Sequence, residues 1–382
     1  MLKQNTHVRL AGMMFFYWGA MSTLAFHVLL LQQSGLNSTQ VGFVTAANAV
    51  VGMIAPPLWA RRADRSRNIK RVLLCAFLLW AVCNALLPFA NGVWLWALPL
   101  SAVLLPCLMF FRAPSSALLD GIVVQGARRA HIPFARFRLW GSLGYACVVS
   151  LSAFLLRRTS MFVPYFISTA VAVPLLWMLF RQPVASQEKT IPPAQKGFHP
   201  GASFFLFLLF NTALYMASNA TSTFTPYLLA DMNLEPTLFS TFAGLKTFLE
   251  IPALYLASRW TQPKAMRATL CLSGLFYLTE QTLYPLAGQS WHVLSLQCLE
   301  GVAFGLYLSA AAPYVAHITA VQWTATAQSW VTTTLFLGSI LSSLLGSLFS
   351  GWWGVRSVFV LTAVTLGISL LCFLFRRRRE ME

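Results

Sequence analysis

The chain has 382 residues, of which 57% are apolar and only 10% charged. A soluble globular domain carries about 25% charged residues, so an ordinary soluble enzyme is excluded. The formal charge of +17 does not mark a nucleic-acid binder, because most of the 27 Lys and Arg fall on one set of alternate loops and termini; that is the positive-inside pattern of a membrane protein, and the aromatic-interleaved basic patch of a nucleic-acid surface is missing.

No Asp, Glu, Lys or Arg occurs from Leu10 to Ala60, from Val72 to Phe111, from Gly197 to Ala230, or from Gly301 to Val355. One crossing of a bilayer takes about 20 apolar residues, so each gap holds one or two helical spans. Segments of about ten residues with alternating polarity, the mark of a membrane β-barrel, do not occur. Twelve spans follow in chain order, at about 10–31, 40–60, 70–90, 93–117, 138–156, 160–181, 202–230, 237–258, 267–287, 292–316, 322–349 and 353–375. The stretch 182–201 is rich in Pro, Gln and Lys and reads as a linker. It separates six spans from six. The expected organisation is therefore a six-helix half over 1–181, a cytoplasmic linker over 182–201 and a second six-helix half over 202–382.

The fold class expected is an all-α membrane protein of twelve transmembrane helices in two pseudo-symmetric halves. Arg61 to Arg71, Arg128 to Arg138, Arg181 to Lys196, Arg259 to Arg267 and Arg376 to Arg379 fall on one side. They put both termini and the linker in the cytoplasm, in a bacterial-type inner membrane. The seven cysteines lie singly inside apolar segments without a CxxC pair, and the six histidines are scattered without an HExxH. No metal or cofactor is expected, and no P-loop sequence for nucleotide occurs.

Two motifs carry a family resemblance. The loop after helix 2 reads Pro57-Leu58-Trp59-Ala60-Arg61-Arg62-Ala63-Asp64-Arg65, followed by Lys70-Arg71. It resembles the G-x-x-x-D-R-x-G-x-R-R signature of the major facilitator superfamily, with Asp64 and Arg65 matching. The second motif is Arg136-Phe137-Arg138-Leu139-Trp140-Gly141-Ser142-Leu143-Gly144-Tyr145, preceded by Pro114 and, at the end of helix 4, Asp120. It resembles the branch that holds phenylpropionate permease and the lactose-permease-like symporters. The resemblance implies the major facilitator fold, a monomer, and solute binding near the bilayer midplane. It makes Asp64, Arg65, Asp120, Arg136 and Arg138 gating or architectural residues. Gly141, Ser142 and Gly144 let helices approach closely, and Arg136 and Arg138 can pair with Asp120. Gly338, Ser342, Gly346 and Ser350 form a second small-residue seam in helix 11.

Charges inside spans are costly and mark function. Arg112, Lys246, Glu250, Glu280 and Glu300 qualify. Lys246 and Glu250 are one helical turn apart and share a face. Glu280 and Glu300 have no sequence-local cation. The branch places an Arg near the first and a His at the second, so the chain departs from it at both. Burial penalises a charged carboxylate, so these groups can carry protons or hold a cationic solute. A pair between a glutamate and Arg112 that breaks and forms during the cycle is a further expectation. Tyr17, His27, Tyr215 and Asn219 are candidate cavity residues.

The function expected is secondary active transport of a small organic solute by alternating access, coupled to protons. The acidic second half favours a neutral or cationic solute, and proton-driven efflux of amphipathic or cationic compounds is the alternative. The partners are the solute, protons and the lipid bilayer. An enzyme would need a nucleophile–base pair or a metal cluster, and the sequence offers neither.

Overall fold

A computed structural model describes residues 2–66, 69–96, 98–130, 132, 134–181, 201–260, 262–320 and 323–375. The linker 182–201 lies outside the described residues, apart from Gly201. The described chain is nearly all helix. The first span is α1 (Leu2–Ala20), a 3-10 turn (Met21–Ala25) and α2 (His27–Gln33). The ladder tightens where the Ala20 carbonyl accepts a hydrogen bond from the Ser168 hydroxyl, which takes an acceptor from the regular helix. Then come α3 (Ser38–Ser66), α4 (Ile69–Leu86), α5 (Leu100–Ala130), α6 (Phe134–Leu156) and α7 (Phe162–Arg181). The second half holds α8 (Ala202–Asp231), α9 (Leu238–Ala257), α10 (Pro263–Leu283), α11 (Ser290–Ile318), α12 (Thr324–Trp353) and α13 (Arg356–Phe375). With α1 and α2 counted as one, the described residues form twelve long helical segments at the places of the expected spans.

Three expected boundaries move. The fourth span, expected at 93–117, begins only at Leu100. The preceding residues form a short hairpin, β1 (Trp94–Leu95) against β2 (Leu98–Pro99), with Trp94 opposite Pro99. This hairpin is as apolar as a helix, so charge gaps cannot separate the two. The same helix runs on to Ala130, because Leu119, Val123 and Ala127 keep a buried stripe at four-residue spacing. Asp120 therefore lies inside α5 and not at its end, and Arg112 moves to mid-helix. The basic loop after the second span is helical through Ser66, so Asp64 and Arg65 sit on the last turns of α3; their side chains lie outside the described residues.

Nine of the described helical segments are long and apolar enough to cross a membrane. The others, α4, α9 and α10, carry charged residues within their length. Phe180, Leu286, Trp352, Ile368 and many other large apolar side chains are exposed. A soluble monomer does not show an apolar skin of this extent.

The chain divides into two compact units. Unit one holds Met1–Asn37, Val50–Gln187 and Thr237–Phe248; unit two holds Ser38–Ala49, Glu188–Pro236 and Leu249–Glu382. In unit one α1 packs on α6 and α7, and α4 packs on α5 and α7. In unit two α8 packs on α12 and α13, and α10 packs on α11 and α13. The order of packing repeats six spans later, which is the internal repeat that the sequence shows only faintly. The units also exchange segments. The start of α3 belongs with α12, where Thr45 donates to Ser343 at 3.0 Å and Thr39 to the Ser347 carbonyl at 3.2 Å. The start of α9 belongs with α6, where a Cβ on Gly244 would lie 2.3 Å from the Ser150 hydroxyl.

Candidate functional site

Unit two buries a polar cluster around Glu280 and Glu300, both fully inaccessible. Helix α8 supplies Ser218, Thr221 and Thr225, three and four residues apart and so on one face. Helix α10 supplies Tyr277, Glu280 and Gln281; α11 supplies Gln297 and Glu300; α13 supplies Thr362. Ser218 donates to Glu300 Oε1 at 3.2 Å, and Thr221 donates to Glu280 Oε1 at 3.1 Å.

The Thr221 hydroxyl is itself fixed. It accepts from Gln281 Nε2 at 2.9 Å, and Gln281 Oε1 accepts from Thr362 at 2.6 Å. Each donor in the chain from Thr362 through Gln281 and Thr221 points toward the Glu280 carboxyl, which holds that carboxyl in one orientation. Tyr277 lies beside Ser218, within electrostatic reach of Glu300 and Glu280. Tyr284, just beyond α10, accepts from Gln297 Nε2 at 2.8 Å and stacks on Phe359 with ring centroids 4.5 Å apart. It too feels both carboxylates. Thus the structure brings Glu280 and Glu300, twenty residues apart in sequence, into one cluster.

Helices α8 and α11 contain no Lys or Arg, and Arg267 is more than three turns from Glu280 along α10. Arg356 donates to the carbonyls of Pro285 and Ala287. The cluster is two buried carboxyl groups, each accepting a hydrogen bond from a hydroxyl of α8. Among the described residues no group of three or more His, Cys, Asp or Glu could hold a metal ion.

The other candidates are placed separately. Glu250 is buried on α9 where α11 crosses it; a Cβ on Gly305 would lie 2.6 Å from the Glu250 carbonyl. Lys246 is half-buried one turn earlier on α9. Asn219 directs its amide into helix packing, donating to Ser343 Oγ at 2.9 Å and to the Ser339 carbonyl at 3.3 Å, both on α12. Tyr215 is half-buried and meets Tyr307 edge-on at 5.6 Å.

In unit one Tyr17 is buried, with its hydroxyl 3.1 Å from that of Ser115. His27 stacks on Tyr165 at 6.1 Å, and its Nε2 has no hydrogen-bond partner among the described residues. Arg112 is half-buried on α5, within electrostatic reach of Tyr17 and Tyr145.

Around the second motif, Arg138 is the cation that acts on Asp120. Its guanidinium rests on the Trp18 ring, 4.0 Å from the centroid, an attraction of about 0.5–2 kcal/mol. Arg136 is exposed. Gly141 backs onto Trp18, and Gly144 onto the Phe15 carbonyl, where an added Cβ would stand 2.5 Å and 2.2 Å away. The motif is thus a seam between α1 and α6. Its counterpart is Gly338 on α12, where a Cβ would lie 2.4 Å from the Thr212 carbonyl of α8.

Sequence reasoning singled out neither Ser218, Thr221 and Tyr277 nor Gln281 and Thr362. Their one signal was a hydroxyl stripe at 218, 221 and 225 in an otherwise apolar helix. It could be read only once Glu280 and Glu300 were known to face it.

Known proteins share this architecture. The chain is 22% identical over 372 residues to the maltose permease of Geobacillus stearothermophilus, covering 96% of this chain and 93% of that one. It is 24% identical over 370 residues to the sugar efflux transporter A of Dickeya chrysanthemi, covering 93% and 91%. The crystal structure of the nucleoside transporter NupG superposes with a TM-score of 0.74 at 14% identity, covering 97% of this chain and 98% of that one. Residues 7–361 match the model of the MFS_1 like family, and the chain belongs to that family: it is a multi-pass integral membrane transporter and not an enzyme.

Proposed function

We propose that the protein is a proton-coupled secondary transporter of a small organic solute. Residues 1–181 and 202–382 act as the two bodies of an alternating-access cycle, joined by the linker 182–201, with both termini in the cytoplasm of a bacterial-type inner membrane. The repeated packing order of the two sets of six spans supports this division.

The observation that carries proton coupling is the burial of Glu280 and Glu300 together, each accepting a hydrogen bond from a hydroxyl of α8. Carboxyl groups inside membrane spans are rare and mark proton and solute pathways. Taking up a proton on one side of the membrane and releasing it on the other gives the cycle its driving force. The hydrogen-bonded chain from Thr362 to Glu280 supports the same reading, because it ties the carboxyl to α8 and α13 at once. Movement of those helices changes its partners.

The relatives named as a permease and an efflux transporter leave both directions in play. Uptake of radiolabelled maltose, uridine and glucuronate into proteoliposomes tests the proposal. With an imposed pH gradient, one of these solutes is expected to accumulate above its external concentration. A protonophore is expected to abolish that accumulation. The sign of the effective gradient separates symport from efflux by exchange. Solute entry that ignores the pH gradient in both directions would overturn the coupling.

A further inference from the structure

Arg112 carries an inference about the solute, and it rests on the transporter reading above. The residue lies about 18 Å from the start of α5, deep in a helix long enough to span the bilayer. Its charge is permanent, because a guanidinium does not lose its proton in proteins. Intramembrane cations are normally matched by a carboxylate or turned toward water.

Unit one has little to match it with. Its acidic residues are Asp64, on the last turns of α3, and Asp120. Asp120 lies two helical turns from Arg112, about 12 Å along the axis, and the cation acting on it is Arg138. Among the described residues the hydrogen bond that the Arg112 guanidinium makes is to the Met109 sulfur at 3.5 Å, a weak acceptor. The titratable groups that face it are Tyr17 from α1, Tyr145 from α6 and His27 from α2, and none is an anion at neutral pH. The side chain is half-buried. Tyr17 is held in place by Ser115, and His27 by stacking on Tyr165. The result is a fixed cation with unused planar donors and an aromatic collar.

We propose that Arg112 anchors an anionic group of the transported solute, a carboxylate or a phosphate monoester, with Tyr17 and Tyr145 flanking it. Its fork of donors fits either oxyanion in a two-point contact that lysine does not reproduce. The acidic second half does not stand against this. A solute carboxylate entering with one proton carries no net charge through the membrane, and a phosphate monoester carries less than it would alone.

The test is a thermal-shift comparison of matched pairs on the full-length purified protein. The pairs are benzoate with benzamide, glucuronate with glucose, and uridine 5′-monophosphate with uridine; tetraethylammonium is the cationic member. An acid is expected to stabilise the wild type while its neutral partner does not, and the pairs separate carboxylate from phosphate. Arg112→Gln is expected to weaken that acid roughly ten- to hundredfold, the worth of one or two charge-assisted hydrogen bonds. Arg112→Lys is expected to restore part of the loss.

If only neutral or cationic members bind, if no acid binds, or if Arg112→Gln keeps the acid's full shift, the proposal is wrong. The wild-type comparison decides even if a variant does not fold. A neutral member that binds and crosses the proteoliposome membrane would remove this proposal and leave the transporter reading standing. An acid that binds but never crosses would do the reverse.

Discussion

The Glu300→Gln variant is expected to exchange solute across a membrane but not to concentrate it. Glutamine matches glutamate in size and still accepts the Ser218 hydrogen bond that Glu300 Oε1 takes at 3.2 Å, so the fully buried site stays packed. What it loses is the proton. A gradient of one pH unit is worth about 1.4 kcal/mol, which supports about tenfold accumulation for one proton per solute. The wild type is expected to approach that ratio, and Glu300→Gln to settle at equal concentrations while its exchange of labelled for unlabelled solute stays within about twofold. The companion Glu280→Gln tests the partner carboxyl, whose position is fixed by Thr221, Gln281 and Thr362. Full accumulation by Glu300→Gln would move the coupling away from that carboxyl.

Valine at Gly144 or Gly338 is expected to prevent accumulation of folded protein. A Cβ at these positions would stand 2.2 Å from the Phe15 carbonyl and 2.4 Å from the Thr212 carbonyl. Both obstacles are helix backbone, which cannot turn aside as a side chain does. Overpacking a well-filled interior costs about 1–3 kcal/mol, and a bulkier group pressed against backbone costs more. That is a large part of a net stability of about 5–15 kcal/mol. The control is Gly121→Ala, where nothing lies within 4 Å of the added carbon; its melting temperature is expected to match the wild type. Size-exclusion profiles and thermal melting in detergent read both results. A Gly144→Val protein that melts like the wild type would mean that α1 and α6 do not approach as closely as described.

These two expectations differ in how legible they were in the amino-acid sequence. The helices were legible because the bilayer demands about 20 apolar residues per crossing, and the charge gaps measure that directly. The exception, 93–117, shows the limit: the hairpin Trp94–Pro99 is made of the same apolar residues as a span. The close approaches at Gly141 and Gly144 could be read from small-residue spacing, and so could Gly338 in its stripe. The one at Gly244 could not, since an isolated glycine in a helix gives no hint of what it meets.

Glu280 and Glu300 stood out because charge is rare within spans. Their companions did not. Thr221 lies 59 residues from Glu280, and Ser218 lies 82 from Glu300; hydroxyl and amide groups are common in helices whatever they do. Asn219 shows the converse error of emphasis. A polar residue on a cavity-lining helix suggests solute contact, yet its amide is spent on α12. Arg112 gained weight only from the structure, which moved it to mid-helix and left the Met109 sulfur as its hydrogen-bond acceptor among the described residues.

The most direct test of the account is to watch protons move. Wild-type protein would be placed in proteoliposomes that hold a pH-sensitive dye, and a solute gradient applied with no imposed pH difference. The solute is whichever of maltose, uridine and glucuronate crosses in the uptake assay. The account predicts that the internal pH changes as the solute enters, toward acid for symport and toward alkaline for exchange, and that the change is lost in Glu300→Gln. Solute entry at full rate with a constant internal pH would contradict it.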